Sequence, residues 1–472
     1  MLLTRQDIEK IHEASLQILE KTGVKFSQER SIEVFKNAGV RVEDNIVYID
    51  PKTLERCIES APSQIHIKAR NKDNDICLGT GTTYCGPVSG VVNVRDHING
   101  RRRSTGQDYL NFLKLSHTSE MMQLVGGIMV TPNDIDNEAQ VAFMMTSLLT
   151  HTDKALWGLT IDGKSSKECI DMARLVFGDE KTPFIIGVAN AITPLIYDDK
   201  MLDSILTYVD EGQPICISCC GTSGFTAPVT LAGTLAVNNA EILAGVVLTQ
   251  LVSPGAPVIY GNVSTAVDMK TMGISSGSPE TSLIAQGAGQ LAEYYNIPSR
   301  VGGTFSNAIE CDVQSGYETM MLMLSSYKAK ADILILSAGE LDSFMTASYE
   351  KFIIDEEIRN MVLRYLRGIE VNDKTLAIDD IHSMGPGGNF MSTMHTFEHF
   401  RSELFNPQIS NRVSYESWEK DKKTRLEVAY EACQKRLEEY KIPDVCKENS
   451  RVIEYWKNKF GELPSALDIL KV

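Results

Sequence analysis

The feature that most constrains this chain is a rhythm that begins at Leu124. An apolar run of about six residues ends in Gly, Thr, Asn or Ser, gives way to a segment of helical period, and the pattern repeats. The runs are LVGGIMV from 124, ALWGLTI from 155, FIIGVAN from 184, PICISCC from 214, PVIYGN from 257, PSRVGG from 298 and DILILS from 332. Helical spacing fits Asp136 to Leu149, Ser165 to Phe177, Asp198 to Glu211, Leu231 to Leu251, Glu280 to Tyr295 and Asp312 to Lys330. Strands buried on both faces read as unbroken apolar runs, and parallel neighbours need a helical crossover. Seven such units over about 250 residues predict an α/β fold, a (β/α)8 TIM barrel, over an open doubly wound sheet. The eighth strand is expected in TLAIDDIHSMG or in the GGNFM that follows it.

The flanks read differently, and they divide the chain into an N-terminal α+β cap (1–120), the barrel (121–412) and a C-terminal helical extension (413–472). Thr4 and Asp7 are spaced as a capping box, and Gly23 is placed to end the helix that follows. VVNVRD and RRRST flank Asn99-Gly100, a strong hairpin signal. The tail alternates acids and bases through KDKKTRLEVAYEACQKRLEEYK, the pattern of a solvated helix face.

Composition narrows the function classes. The 472 residues carry 62 acids against 46 bases, a net charge of −16, which disfavours a general nucleic-acid binder. The ten cysteines are scattered, and the start MLLTRQDIEK has charge where a secretory signal would be apolar, so a cytoplasmic protein with reduced thiols is expected. Cys216, Cys219 and Cys220 lie in one apolar run without a second CxxC and read as strand residues. Leu231 to Val252 is the longest apolar stretch, yet Asn238, Asn239 and Glu241 interrupt it, which fits a buried helix and no membrane partner.

Barrel chemistry collects at the carboxyl ends of the strands. The residues there are Thr131-Pro132-Asn133, Asp162, Asn190, Gly221-Thr222, Tyr260-Gly261-Asn262, Gly302-Gly303-Thr304 and Ala338-Gly339-Glu340. The set is mostly small or neutral, with no paired carboxylates, no Ser-His-Asp arrangement and no phosphate loop. A site so poor in acid/base groups points to a reactive species supplied by a cofactor or partner. One metal-like pattern stands apart: HTFEHF sets His395, Glu398 and His399 in HxxEH order.

Several blocks in order resemble the trimethylamine methyltransferase superfamily. They are GPVSGVVNVRDHINGRRRSTGQDY, CGTSGFTAPVTLAGTLAVNNAEILAGVVLTQLVSPGAPVIYGN, DMKTMGISSGSPE, GGTFSNAIECDVQSGYE, SYEKFIIDEEI and GPGGNFMSTMHTFEHFRSELFNPQISNR. The resemblance implies a barrel that moves a methyl group from a methylated amine to the cobalt of a cobalamin (corrinoid) carried on a separate protein, with no tightly bound metal. Family members acting on trimethylamine carry pyrrolysine on a late loop, which here reads SAGELDSFMTASYEKF. The chain is therefore similar to the branch without pyrrolysine, whose substrates are quaternary amines such as glycine betaine. A quaternary nitrogen is already a good leaving group, so a strongly nucleophilic Co(I) can take its methyl without further activation.

That reaction asks the protein to hold a cation, align it and exclude water. Aromatic faces suit such a cation, which nominates Tyr84, Trp157, Tyr260, Phe305 and Phe344, with Glu340 and His395 as polar partners. Asp342 shares with Glu340 the loop at the pyrrolysine-like position, and Asp312, Gln314 and Glu318 lie in the family-like DVQSGYE block. Gly302, Gly303, Gly385, Gly387, Gly388 and Asn389 are candidates for loops that face the corrinoid protein, and a homo-oligomer is expected. Two other readings compete: a metal-dependent barrel hydrolase using His395, Glu398 and His399, and a noncatalytic betaine-binding protein.

Overall fold

The computed structural model describes residues 3–178 and 182–467. Eight parallel strands form its centre: β1 (Tyr84–Cys85), β2 (Leu124–Gly126), β3 (Ala155–Trp157), β4 (Ile185–Ala191), β5 (Ile215–Cys219), β6 (Val258–Asn262), β7 (Ser299–Gly302) and β8 (Ile333–Ile335). From β2 to β8 each strand pairs with the next in number, β8 pairs with β1, and a single parallel bridge from Cys85 to Met122, just before β2, closes the ring. The crossovers are α1 (Gly106–Thr118), α2 (Asn137–His151), α3 (Gly163–Phe177), α4 (Asp199–Asp210), α5 (Leu231–Val252), α6 (Pro279–Tyr295) and α7 (Val313–Lys328), and α8 (Tyr349–Arg367) completes the set. This is the (β/α)8 barrel that the alternating pattern predicts.

The eighth strand corrects the expectation. TLAIDDIHSMG folds as two short helices, Asp373–Leu376 and Ile378–Met384, and GGNFM runs into a 3-10 turn at Phe390–Ser392. The strand that completes the barrel is β1, only two residues long, in the stretch TTYCGPV. The barrel's first strand and helix therefore lie within residues 1–120, the stretch expected to form the cap. Helical spacing in TLAIDDIHSMG was the true signal, and Gly385 ends that helix at φ 61°.

Caps and plugs follow from local sequence. Thr4 and Asp7 form the reciprocal capping box, and Gly23 sits at φ 74° after a final π turn. A small sheet holds Val24–Phe26 between Ile46–Tyr48 and, after β4, Ile196–Tyr197. A second hairpin, Ile65–Ile67 with Ile76–Leu78, packs on Leu124, Ala155, Ile186, Cys216, Ile259 and Ile333. These six lie at the starts of their strands, so the hairpin plugs the amino end of the barrel. Leu231–Val252 passes a length-and-hydropathy test for a membrane span. It is nevertheless α5, packed against β5, β6 and the N-terminal helices, with Asn239 buried and bonded to Ser15, Tyr260 and Tyr295.

Beyond the barrel, Arg425–Glu439 packs on α8 and α1, and Ser450–Phe460 packs on α2 and α3. Ala429, Cys433 and Trp456 face inward there.

Candidate active site at the barrel mouth

The registers fix which side chains enter the barrel. Trp157 is paired with Ile186, Asn190 with Ser218, Ser218 with Gly261, and Gly261 with Arg300. Partners across a ladder point to the same face and residues two apart share it, so these side chains point into the barrel together. Apolar groups form the floor, with Trp157 only 2% exposed. Directly above them lies Arg300, also buried. Its Nη1 donates to Ser218 Oγ at 3.0 Å, and its guanidinium carbon stands 5.8 Å from the centre of the Trp157 ring. Gly261 makes this reach possible: a Cβ there would lie 2.6 Å from Cys216 Sγ and 2.7 Å from Ser218 Cβ. Higher in the same barrel, inward-facing Asn190 is exposed and Val188 half-buried, so the centre opens above the arginine.

The ends of β7 and β8 build one wall of the opening. Gly302 shares the inward face of Arg300, and a Cβ on it would lie 2.1 Å from the Phe305 ring. The glycine therefore lets Phe305 fold back over the strand end, where it meets Phe344 edge-on at 4.8 Å between ring centres. Gly303 lets the ends of β7 and β8 touch, since a Cβ would lie 2.8 Å from Ser337 Cα. Asp342, Ser343 and Phe344 are consecutive left-handed residues at φ 56°, 49° and 71°, a strained turn of the sort that needs firm anchoring.

Buried carboxylates supply the anchors. Glu340 is fully buried and accepts from the amides of Ser306 and Phe344, binding the loops after β7 and β8 together. Burial pushes its carboxyl up to about 8, against the pull of those amides and of Lys351. Glu318 accepts from Ser306 Oγ at 2.7 Å, the Asn307 amide at 2.8 Å and Gln314 at 2.9 Å. Behind them, the buried Lys351 ammonium pairs with Asp355 at 2.7 Å and donates to Thr319, while Asp355 accepts from the Gly339 amide. The hairpin Asn93–Asp96 and Gly100–Arg103 closes this corner by pairing with Thr346–Ser348, and Arg101 reaches Asp342 at 3.1 Å.

Of the residues nominated from sequence, Phe305 and Phe344 come together at the mouth and Trp157 lies at its floor. Glu340 stands beside them, but its oxygens hold backbone amides. Tyr84 points inward yet is drawn to the plug, its hydroxyl against Cys77. Tyr260 faces the other way and donates to Asn239 Oδ1 of α5 at 3.0 Å. Asp162 and Asp312 cap α3 and α7. Gly302 and Gly303 are buried packing positions rather than exposed loop glycines.

Gly385, Gly387, Gly388, Asn389 and His395 lie in an arm, residues 368–405, that leaves the far end of α8. Arg364 near that end holds Glu403 at 2.8 Å. The rings of His395 and His399 lie 4.5 Å apart between centres and tilted by 39°, while Glu398 is exposed. Among the described residues no group of three or more His, Cys, Asp or Glu is arranged to hold a metal ion. A cavity of about 460 Å³, lined in part by Glu356, Phe405 and Arg436, lies outside the barrel in the seam between α8 and the tail. Sequence reasoning missed Arg300 and Ser218. The available signal was a lone arginine in the strand PSRVGG, at a position whose neighbours alternate between core and mouth.

A closed parallel barrel with an aromatic wall and a buried cation at its carboxyl end has the architecture of small-molecule barrel enzymes. Residues 1–459 match the trimethylamine methyltransferase (MTTB) family, and the chain belongs to it. It is similar to a glycine betaine methyltransferase of Desulfitobacterium hafniense (strain Y51), 36% identical over 94% of this chain and 93% of the relative. It is also 33% identical to a proline betaine:corrinoid methyltransferase of Eubacterium limosum, over 96% of each chain. The crystal structure of a hydroxylamine MtmB complex shares the fold, with a TM-score of 0.54 at 12% identity over 93% of this chain and 89% of the other.

Proposed function

We propose that this protein transfers a methyl group from a betaine-type quaternary amine to the Co(I) of a cobalamin carried on a separate corrinoid protein. The observation that carries the reading is the make-up of the mouth: an aromatic pair, Phe305 and Phe344, without a pair of carboxylates free for acid/base work. Both oxygens of Glu340 are bonded to backbone amides, so this carboxyl is not free to act as a general acid or base. The relatives named for betaine substrates support the same chemistry.

The corrinoid supplies the nucleophile. This chain's part is to bind and aim. Half-buried Phe344, backed edge-on by the buried Phe305, offers its ring to a cation that cannot donate a hydrogen bond, about 0.5–2 kcal/mol for a favourable ring face. The floor of Trp157, Ile186, Cys216 and Ile259 excludes water from below, so that the open side is the one through which the methyl group can leave. The glycines at 302 and 303 let the wall come close without side chains of their own.

The test is a panel of quaternary amines incubated with the protein and a reduced corrinoid protein, with the cobalamin spectrum as readout. Conversion to methylcobalamin with a betaine is expected. An unchanged spectrum with every quaternary amine overturns the reading, and activity lost on chelation would instead favour a metal hydrolase.

The same reading extends to the rest of the chain. We place the cap at residues 3–83 and the barrel at 84–367, followed by the arm and the helical tail. The arm exposes Ile369, Met391, Met394 and Phe397, an apolar content typical of permanent contacts between copies of one chain. A homo-oligomer in the cytoplasm fits that surface and the free state of all ten cysteines.

A further inference from the structure

Arg300 is used by nothing in the transfer chemistry described above, and its setting is costly. A guanidinium has five N–H donors and is charged at any working pH. Here Nη1 donates to Ser218, while Nε is buried and finds no partner. Burial pulls its pKa down, and the ionisable groups that act on it are the thiols of Cys216, Cys219 and Cys220. Among the described residues no carboxylate pairs with it. A buried cation without a counter-ion is strongly disfavoured unless something else supplies one.

Its location suggests what supplies it. Arg300 lies above the apolar floor and below the aromatic wall, on the same inward face as Gly302, over which the Phe305 ring folds. Ser218 is brought to it only because Gly261 lacks a side chain. The site is thus built around the guanidinium, and it opens toward the mouth past Asn190.

We propose that Arg300 is the seat for the carboxylate of the substrate, so that the protein selects zwitterionic quaternary amines over carboxylate-free ones. This rests on the transfer reading and deepens it. A carboxylate bound at the floor directs the ammonium outward, toward Phe305 and Phe344, and turns an N-methyl group to the mouth where a partner can reach it. Ser218 is then a positioning residue that orients the guanidinium. Trp157 supports its flat face, a geometry lysine cannot reproduce.

The experiment compares glycine betaine with choline, which has the same trimethylammonium head and a hydroxyl in place of the carboxylate, by calorimetric titration of the full-length protein. The wild type is expected to bind betaine far more tightly than choline. Arg300→Gln should lose about 100-fold in betaine affinity and leave choline binding unchanged, and Arg300→Lys should recover only part of the loss. If Arg300→Gln fails to fold by circular dichroism, Ser218→Ala decides: betaine affinity should drop while choline affinity stays. Equal wild-type affinity for the two ligands, or unchanged betaine affinity in the folded Arg300→Gln or, failing that, Ser218→Ala variant, overturns the seat. Betaine binding that depends on Arg300 without any methyl transfer overturns the transfer reading and leaves the seat standing. Transfer from betaine with wild-type affinity in Arg300→Gln does the opposite.

Discussion

The corner where β7 and β8 end and the arm at residues 368–405 are built on opposite principles. At the corner, polar side chains are buried and tied: Glu340, Glu318 and Asp355 each hold backbone amides, and Lys351 is matched to Asp355. In the arm, large apolar side chains are left in water, with Ile369 at 89%, Met391 at 85% and Phe397 at 71% exposure. The corner is completed by its own chain. The arm leaves an apolar face uncovered, although it is capped and turned as carefully as any element, with Asn372 and Thr393 starting its helices. The arm is locally ordered with its apolar face in water, whereas local strain with buried anchors, as at Asp342 to Phe344, makes for rigidity.

The largest effect should come from splitting the ion pair behind the corner. Asp355→Ala leaves the Lys351 ammonium buried with only Thr319 as partner, a loss of about 3–5 kcal/mol of stability, measured by urea unfolding. Replacing both residues by apolar ones of similar size should restore most of it, because the cost lies in the orphaned charge. Equal destabilisation by the single and double changes would show that the pair itself, rather than its matching, holds the corner.

A smaller effect, with a defined pH dependence, belongs to Glu340. Its carboxyl is raised from the ordinary 4.5 to about 8, so between these values the folded chain binds a proton that the unfolded chain has released. Stability contributed by this group is therefore full below about 4.5 and falls as pH rises through about 8. Glu340→Gln should flatten that slope. It should also cost about 1–3 kcal/mol, since an amide cannot accept from both Ser306 and Phe344. An unchanged slope in the variant would remove Glu340 as its source.

Why some of this was legible beforehand is a matter of segment length and period. The α5 and α7 helices repeat their pattern over many residues, so Leu231–Val252 and Val313–Lys328 fall within a few residues of the expected bounds. A two-residue strand such as Tyr84–Cys85 has no period to detect. It exists because the ladders of β8 and the Met122 bridge complete it. The aromatic pair was readable from its place after strand runs, but the direction of Tyr260 was not, because Asn239, twenty-one residues earlier, attracts its hydroxyl outward. Arg300 escaped notice for the same reason: only the closed barrel places Ser218 and Trp157 around it.

The smallest expected change in folding stability lies in the arm. Met391, Met394 and Phe397 are exposed, and polar replacement of exposed side chains usually moves stability by less than about 0.5 kcal/mol. The triple change to serine should leave the unfolding midpoint of the dilute protein nearly where it was. If the arm is covered by a second copy, the same change should lower the molar mass in sedimentation, because an interface loses its apolar centre while each barrel keeps its own core. The comparison between corner and arm then holds in its strongest form, one region stabilising the chain and the other joining chains. Should the triple variant instead unfold at markedly lower urea with its mass unchanged, the arm must pack on its own barrel in solution, and the contrast would dissolve.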